Sequence, residues 1–206
     1  VSLSVRPARP SEMRHLAAVE DSGAAPFRDW FGAAAVPALL APAVSGASRD
    51  AVPGELLVAA DPAYAGTGPL GFVHLLWLDA DDGSVTAHLE QLSVLLPDHG
   101  RQGIGTALVE AACEEARWAG HSSLTLCTYR DVPWNGPFYR RLGFVEDLDP
   151  PAHLERIRVA ERALGLDRCG VREVLRRDLD RSSRSGSAHK LPTSEPGHRQ
   201  GARPVP

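Results

Sequence analysis

Three sets of residues in this 206-residue chain have the types and spacing to do chemistry. The first is the turn Gly100-Arg101-Gln102-Gly103-Ile104-Gly105-Thr106-Ala107, between the apolar stretch Leu89–Leu96 and an amphipathic one. A glycine turn that opens a helix leaves several backbone N–H groups unpaired and aimed one way. The helix dipole adds partial positive charge there, so such a turn is suited to hold a phosphate. The second set is Asn135 and Tyr139, four residues apart and hence on one face of a short helix. The third is Glu90, a carboxylate within the apolar run, where the cost of burying a charge argues against a purely packing role. His74 and His88, whose imidazoles titrate near neutrality, lie on the predicted strands around it.

The elements that must position these groups follow from pattern and punctuation. Leu3–Pro7 alternates and stops at proline, a first strand; Pro10-Ser11-Glu12 opens a helix, with Ser11 suited to cap it. Strands are predicted at 55–60, 70–78 and 85–96, separated by a Gly/Pro turn at 61–69 and a tight turn at 79–83. The helix after the glycine turn runs from Ile104 to about Ala119, with Ile104, Leu108, Ala111 and Ala112 as its core stripe and Gly120 as its stop. Then come a strand at 124–128, the short helix 133–142 and a strand from Phe144. Helical spacing at Leu154, Ile157, Ala160 and Leu164 precedes a last strand at 171–175. The expected architecture is mixed α/β: a central, mostly antiparallel sheet with one parallel βαβ crossover and flanking helices.

Residues 21–53 give weak signals. Phe27, Trp30, Phe31, Val36, Leu39 and Leu40 are spaced as short helical pieces; they form either a hydrophobic wall beside a site or simple packing on the sheet. The expected organisation is one domain over residues 1–180 and a disordered basic Ser/Arg/Gly/Pro-rich tail over 181–206.

Composition narrows the function. A net charge of −4 gives no reason to expect nucleic acid or an anionic membrane. Cys113, Cys127 and Cys169 are scattered and lack C-x-x-C spacing, which argues against a disulfide frame or zinc site; Cys113 and Cys127 read as small core residues. No signal-peptide pattern is evident, and the least polar run, Ala33–Val44, is broken by Pro37 and Pro42. A cytoplasmic location and no membrane span are expected.

Three phosphate-binding turns compete for Gly100–Ala107. A Walker loop needs Lys after its last glycine, and Thr106 and Ala107 stand there instead. A dinucleotide turn needs a third glycine where Leu108 stands, and an acidic ribose ligand that 124–127 lacks. The run Leu92-Ser93-Val94-Leu95-Leu96-Pro97-Asp98-His99-Gly100-Arg101-Gln102-Gly103-Ile104-Gly105 instead resembles the acyl-CoA-binding turn of the GNAT superfamily of N-acyltransferases. The family's second motif follows as Trp134-Asn135-Gly136-Pro137-Phe138-Tyr139-Arg140-Arg141-Leu142-Gly143-Phe144. One position departs: Gly100 stands where the family has Arg or Gln, with Arg101 and Gln102 beside it.

The resemblance implies a GNAT-like fold and an acetyl-CoA-dependent N-acetyltransferase, with acetyl-CoA as co-substrate and no metal. The acceptor would be a primary amine, most simply a small molecule, with a protein N-terminus or lysine open; a homodimer is open too. Pyrophosphate would meet Arg101, Gln102, Gly103, Ile104, Gly105, Thr106 and Ala107. The pantetheine arm would lie along Leu92, Ser93, Val94, Leu95 and Leu96, pairing with the backbone of Val94 and Leu96. Asn135 would bind CoA or cap its helix. Tyr139 would be the general acid, or else a core aromatic beside Phe138. Its ordinary pKa of ~10 lies above the ~8.5 of a thiol, so it can hydrogen-bond to the leaving sulfur while un-ionised. Glu90 ranks first as base, with His74, His88 or a water chain behind it. Rivals are a non-catalytic acyl-CoA sensor on the same fold and a nucleotide-binding domain.

Overall fold

A computed structural model describes residues 3–61 and 68–179; the expected tail, 181–206, and most of the expected 61–69 turn lie outside the described residues. The strands are β1 (Ser4–Pro7), β2 (Gly54–Ala60), β3 (Gly71–Asp79), β4 (Val85–Val94), β5 (Ser123–Tyr129), β6 (Val145–Glu146) and β7 (Arg172–Asp178). The helices are α1 (Met13–Asp21), α2 (Ala24–Phe31), α3 (Gly46–Asp50), α4 (Ile104–Trp118), α5 (Gly136–Arg141) and α6 (Ala152–Ala163). The sheet order is β1-β2-β3-β4-β5-β7-β6, and of its neighbouring pairs β4 and β5 alone run parallel. This is the mixed sheet with one βαβ crossover that the sequence pattern implies.

On one face lies α4. Its Ile104, Leu108, Val109, Ala112, Cys113 and Ala116 are buried against Leu57, Val73, Leu75, Leu89, Leu124 and Leu126. Each fully buried Leu, Ile or Val contributes about 1.5–3 kcal/mol. Gly71 lets the helix come close: a Cβ there would meet Ser93 O at 2.7 Å and Leu108 Cδ1 at 3.0 Å. Gly120 ends α4 at φ +93°, where its N–H donates to Arg117 O and that of His121 to Ala116 O, a Schellman closure.

The opposite face carries α1, whose Leu16 and Val19 pack on Leu56, Val58 and Phe72. It also carries α6, whose His153 Nε2 lies 3.1 Å from Thr86 Oγ1. The α1 region corrects one expectation. Pro10–Glu12 forms a 3₁₀ turn and α1 begins at Met13, so Ser11 caps no α-helix. Instead the Glu12 carboxylate accepts from Arg9 N–H at 2.8 Å and pairs with Arg6 at 2.7 Å.

β4 breaks its alternation once. His74 lies opposite Gln91 and Leu75 opposite Leu89, leaving Glu90 as an extra residue on β4. A bulge of this kind reverses the faces of every later residue. That is how Leu89, before the bulge, and Leu92 and Val94, after it, all join the α4-side core.

Candidate active site

Parallel pairing of β4 with β5 runs from Ala87 opposite Leu124 to Leu89 opposite Leu126. Glu90 is the next residue, so the bulge sits where the two strands cease to pair. On the β3 side Leu95 N–H donates to Leu70 O at 2.8 Å. By antiparallel alternation, Leu92 and Val94 turn their backbone polar groups toward β5, where no ladder partner meets them among the described residues. Leu96 differs from expectation: its N–H donates to Ser22 Oγ, at the C-terminal end of α1, at 3.0 Å. Of the two expected backbone positions, Val94 turns its polar groups to the unpaired side, while the N–H of Leu96 is taken by Ser22.

The glycine turn closes this groove. Arg101 (φ 60°) and Gly103 (φ 81°) are both left-handed. Leucine or alanine at 103 would be strained, although the space around it is open. Ile104 is buried and pins the start of α4 to the core. The amides of Ile104, Gly105 and Thr106 meet no backbone carbonyl among the described residues, as a helix start requires; the first such bond is Ala107 N–H to Gly103 O at 3.0 Å. Gln102 ties the loop to itself, donating to Asp98 O at 2.7 Å, while Arg101 and Thr106 are exposed. Three amides without a backbone partner at the positive end of a 15-residue helix suit an anion.

α5 packs onto the turn. The Phe138 ring would lie 3.4 Å from a Cβ placed on Gly105. Tyr139 is buried, edge-on to Phe138 and Phe144 at 5.1 and 5.7 Å, and its hydroxyl has no hydrogen-bond partner among the described residues. Burial pushes its pKa up, so the phenol stays protonated at neutral pH and acts as a hydrogen-bond donor. The ring is thus a core aromatic beside Phe138 and Phe144. Asn135 sits at the N-cap position of α5 but makes no side-chain cap bond. Its Nδ2 donates to Thr128 Oγ1 on β5 at 2.9 Å, and its Oδ1 is buried without a partner among the described residues.

Glu90 does not stand alone. Its Oε2 accepts from Arg49 Nη1 at 2.5 Å and lies 3.0 Å from His74 Nδ1. Arg49, from α3, is buried; its Nη2 donates to Glu20 of α1 at 2.6 Å and its guanidinium lies 5.5 Å from the centre of the Phe72 ring. Desolvation would raise the pKa of Glu90, but the His74 hydrogen bond and the Arg49 charge outweigh it, so the net shift is down. An ionised carboxylate accepts only, so in the 3.0 Å contact His74 Nδ1 is the donor to Glu90. Glu20 goes the other way: burial raises its pKa more than Arg49 lowers it. His88 does not belong to this cluster. It is buried, with Nδ1 2.9 Å from Thr125 Oγ1, and burial lowers its pKa to about 4, so it is neutral and structural.

Beside Glu90 lies a pocket of about 400 Å³ bounded by α3, the residues flanking it and β3, with Val44, Val52, Pro53, Leu76 and Leu78 among its walls. Farther along, the α2 aromatics pack on rings of β5 and of the residues before α5. Phe27 and Trp30 pack edge-on to Trp134 at 5.6 and 5.7 Å, and Phe31 lies 4.9 Å from Tyr129.

Residues 53–146, from the end of α3 to β6, match the family model of the acetyltransferase (GNAT) domain. That segment, just under half of the chain, is similar to GNAT acetyltransferase domains. Solved structures share its fold at low identity. PaiA N-acetyltransferase of Thermoplasma acidophilum, in complex with coenzyme A, is 15% identical with a TM-score of 0.58 over 86% of this chain and 99% of that one. A GCN5-related N-acetyltransferase of Rhodopseudomonas palustris is 17% identical, with a TM-score of 0.59 over 87% and 97%. The ribosomal-protein-S18-alanine N-acetyltransferase of Escherichia coli is 15% identical, with a TM-score of 0.56 over 89% and 97%. The GNAT match contains the turn, Glu90, Asn135 and Tyr139. It does not contain Glu20, Ser22 or Arg49, which sequence reasoning missed as parts of the site. Their one signal was a buried-looking α1 face ending in Glu20; nothing near residue 49 marks an arginine that will be buried.

Proposed function

We propose that the protein transfers the acetyl group of acetyl-CoA to a primary amine of a small molecule by direct attack. The observation that carries this reading is the end of β4–β5 pairing at Leu89, together with the unpaired amides at the start of α4 and a Tyr139 hydroxyl that has no hydrogen-bond partner among the described residues. The amides of Ile104, Gly105 and Thr106 would hold pyrophosphate, and the backbone edge at Leu92 and Val94 would take the amide-rich arm as a strand takes its neighbour. Asn135 Oδ1, buried and unpartnered among the described residues, is an acceptor for an N–H of the same arm.

In the transfer the amine nitrogen bonds to the thioester carbon, the C–S bond breaks and the thiolate leaves. Tyr139 donates its hydrogen bond to the departing sulfur. The proton shed by the amine passes toward Glu90, which His74 and Arg49 hold in place. Positioning of the two reactants supplies much of the rate. The domain doing this would span residues 1–180, with the tail outside it.

The test is Tyr139→Phe, assayed with acetyl-CoA and a panel of amines, reading released thiol and product mass. The kcat should fall about 100-fold, in the range of general acid–base catalysis, while acetyl-CoA affinity stays within about 3-fold. An unchanged kcat would remove Tyr139 from the reaction. No acetylated amine from wild type, across small molecules and peptides, would remove the transferase reading itself.

A further inference from the structure

We infer that the acceptor is an apolar amine bearing one positive charge and no carboxylate, seated in the α3–β3 pocket with its ammonium on Glu90. This rests on the acetyl-transfer reading and narrows it to a substrate class. Glu90 is the first β4 residue past the last β4–β5 pair, so a nitrogen held by its carboxylate lies at the mouth of the groove where the arm would emerge.

The pocket is of small-ligand size, about 400 Å³, and its aliphatic walls suit a hydrocarbon body. Its charges are unequal in reach. Arg49 is the cation lining it, but one Nη is bonded to Glu20 and the other to Glu90. The guanidinium lies against Phe72, and the side chain is 4% exposed. Glu90 is 40% exposed, and both its bonds are accepted by Oε2; Oε1 accepts none among the described residues. The pocket therefore offers an ammonium an exposed carboxylate oxygen, whereas for a carboxylate it holds only the Ser48 hydroxyl and the buried Nε–H of Arg49, which has no partner among the described residues. An α-amino acid entering amine-first would bring its own carboxylate against Glu90, with both Arg49 Nη groups already bonded to Glu20 and Glu90. His88, the remaining titratable group on β4 nearby, is neutral and turned to Thr125.

Phenethylamine and phenylalanine differ by one carboxylate and make the test. Each is titrated calorimetrically into the full chain with CoA present. Phenethylamine should bind at least about 10-fold more tightly, a difference of about 1.4 kcal/mol. Val52→Trp, at the exposed rim, should weaken phenethylamine by about 10-fold or more while leaving the melting temperature in place. Glu90→Gln should erase the discrimination between the two ligands. Equal or tighter binding of phenylalanine, or indifference to Val52→Trp, would overturn the inference. Turnover separates it from the reading beneath. Acetylation of phenylalanine in preference to phenethylamine would keep acetyl transfer and overturn the acceptor class. Phenethylamine bound as expected but never acetylated would overturn acetyl transfer, and with it the role of this ligand as acceptor.

Discussion

The two faces of the sheet are built from different materials. The α4 face is a continuous apolar core, from Leu57 on β2 to Leu175 on β7, with Leu108 of α4 fully buried within it. The face under α1, α3 and α6 has a small apolar cluster around Phe72 and, beside it, a buried guanidinium, two buried histidines and a half-exposed carboxylate. One face holds the sheet and its glycine turn rigid. The other spends burial on polar groups that packing alone would not select, and those groups surround the pocket. β4 and β5 cease to pair at the Glu90 bulge, so under the proposed function the framework face would place the phosphate and the polar face the acceptor.

That contrast can be broken at the turn, in the core and at the polar cluster. The largest effect is expected from Gly105→Glu, which sets a carboxylate among the free α4 amides. A Cβ at 105 meets Phe138 at an ordinary 3.4 Å, so the fold should survive. Acetyl-CoA affinity, measured by calorimetry, should fall by more than about 100-fold from charge and bulk at the dipole. An unchanged affinity in a folded variant would move the phosphate elsewhere.

Leu108→Ala probes the framework alone. It should cost about 2–5 kcal/mol in denaturant unfolding, as large-to-small changes at fully buried sites do. Acetyl-CoA affinity of the folded fraction should hold; a loss confined to affinity, with stability intact, would merge the two faces into one functional unit.

Arg49→Gln probes the polar face and should give the smallest change, chiefly in pH dependence. Glu90 is held below the ordinary carboxylate range because the His74 bond and the Arg49 charge outweigh desolvation. Its ionised form, and the acid limb of kcat/KM that depends on it, should therefore persist to pH values below that range. Without Arg49 desolvation gains ground, and the limb should move to higher pH. The sign for stability agrees. A depressed carboxylate contributes stability above its unfolded pKa of about 4.3 and loses it as pH falls through the lower folded value. The gap between wild type and variant should be widest near neutrality and should close on acidification. An acid limb that stays in place would mean that Glu90 is not the group titrating.

Much of the framework is legible in the amino-acid sequence. The Ile104, Leu108, Ala112 stripe of α4 obeys helical period, and Gly120 ends it as expected. Local signals of this kind are set by neighbours three or four residues away. The polar face is legible only in part. Glu90 stands out because a charge in an apolar run is costly, yet its partners come from residues 20, 49 and 74, on three other elements. Ser22, which takes the Leu96 amide, is equally distant in sequence. Residues 21–53 resist reading because short helical and 3₁₀ pieces hold their shape through contacts such as Phe27 on Trp134, not through their own periodicity.

By itself the sequence determined the order of elements, the glycine turn at the start of α4 and the pairing of Asn135 with Tyr139 on one helical turn. Each depends on covalent neighbours, on hydrophobic period and on the freedom of glycine at positive φ. Tertiary structure alone decided that β4 bulges at Glu90 and that Leu96 is occupied by Ser22. It also decided that Arg49 is buried between two carboxylates and that the pocket beside them is lined by the Glu90 carboxylate and aliphatic side chains. Those outcomes follow from strand register and from charges brought together across tens of residues, where the cost of an unpaired buried charge selects a partner that no local pattern announces.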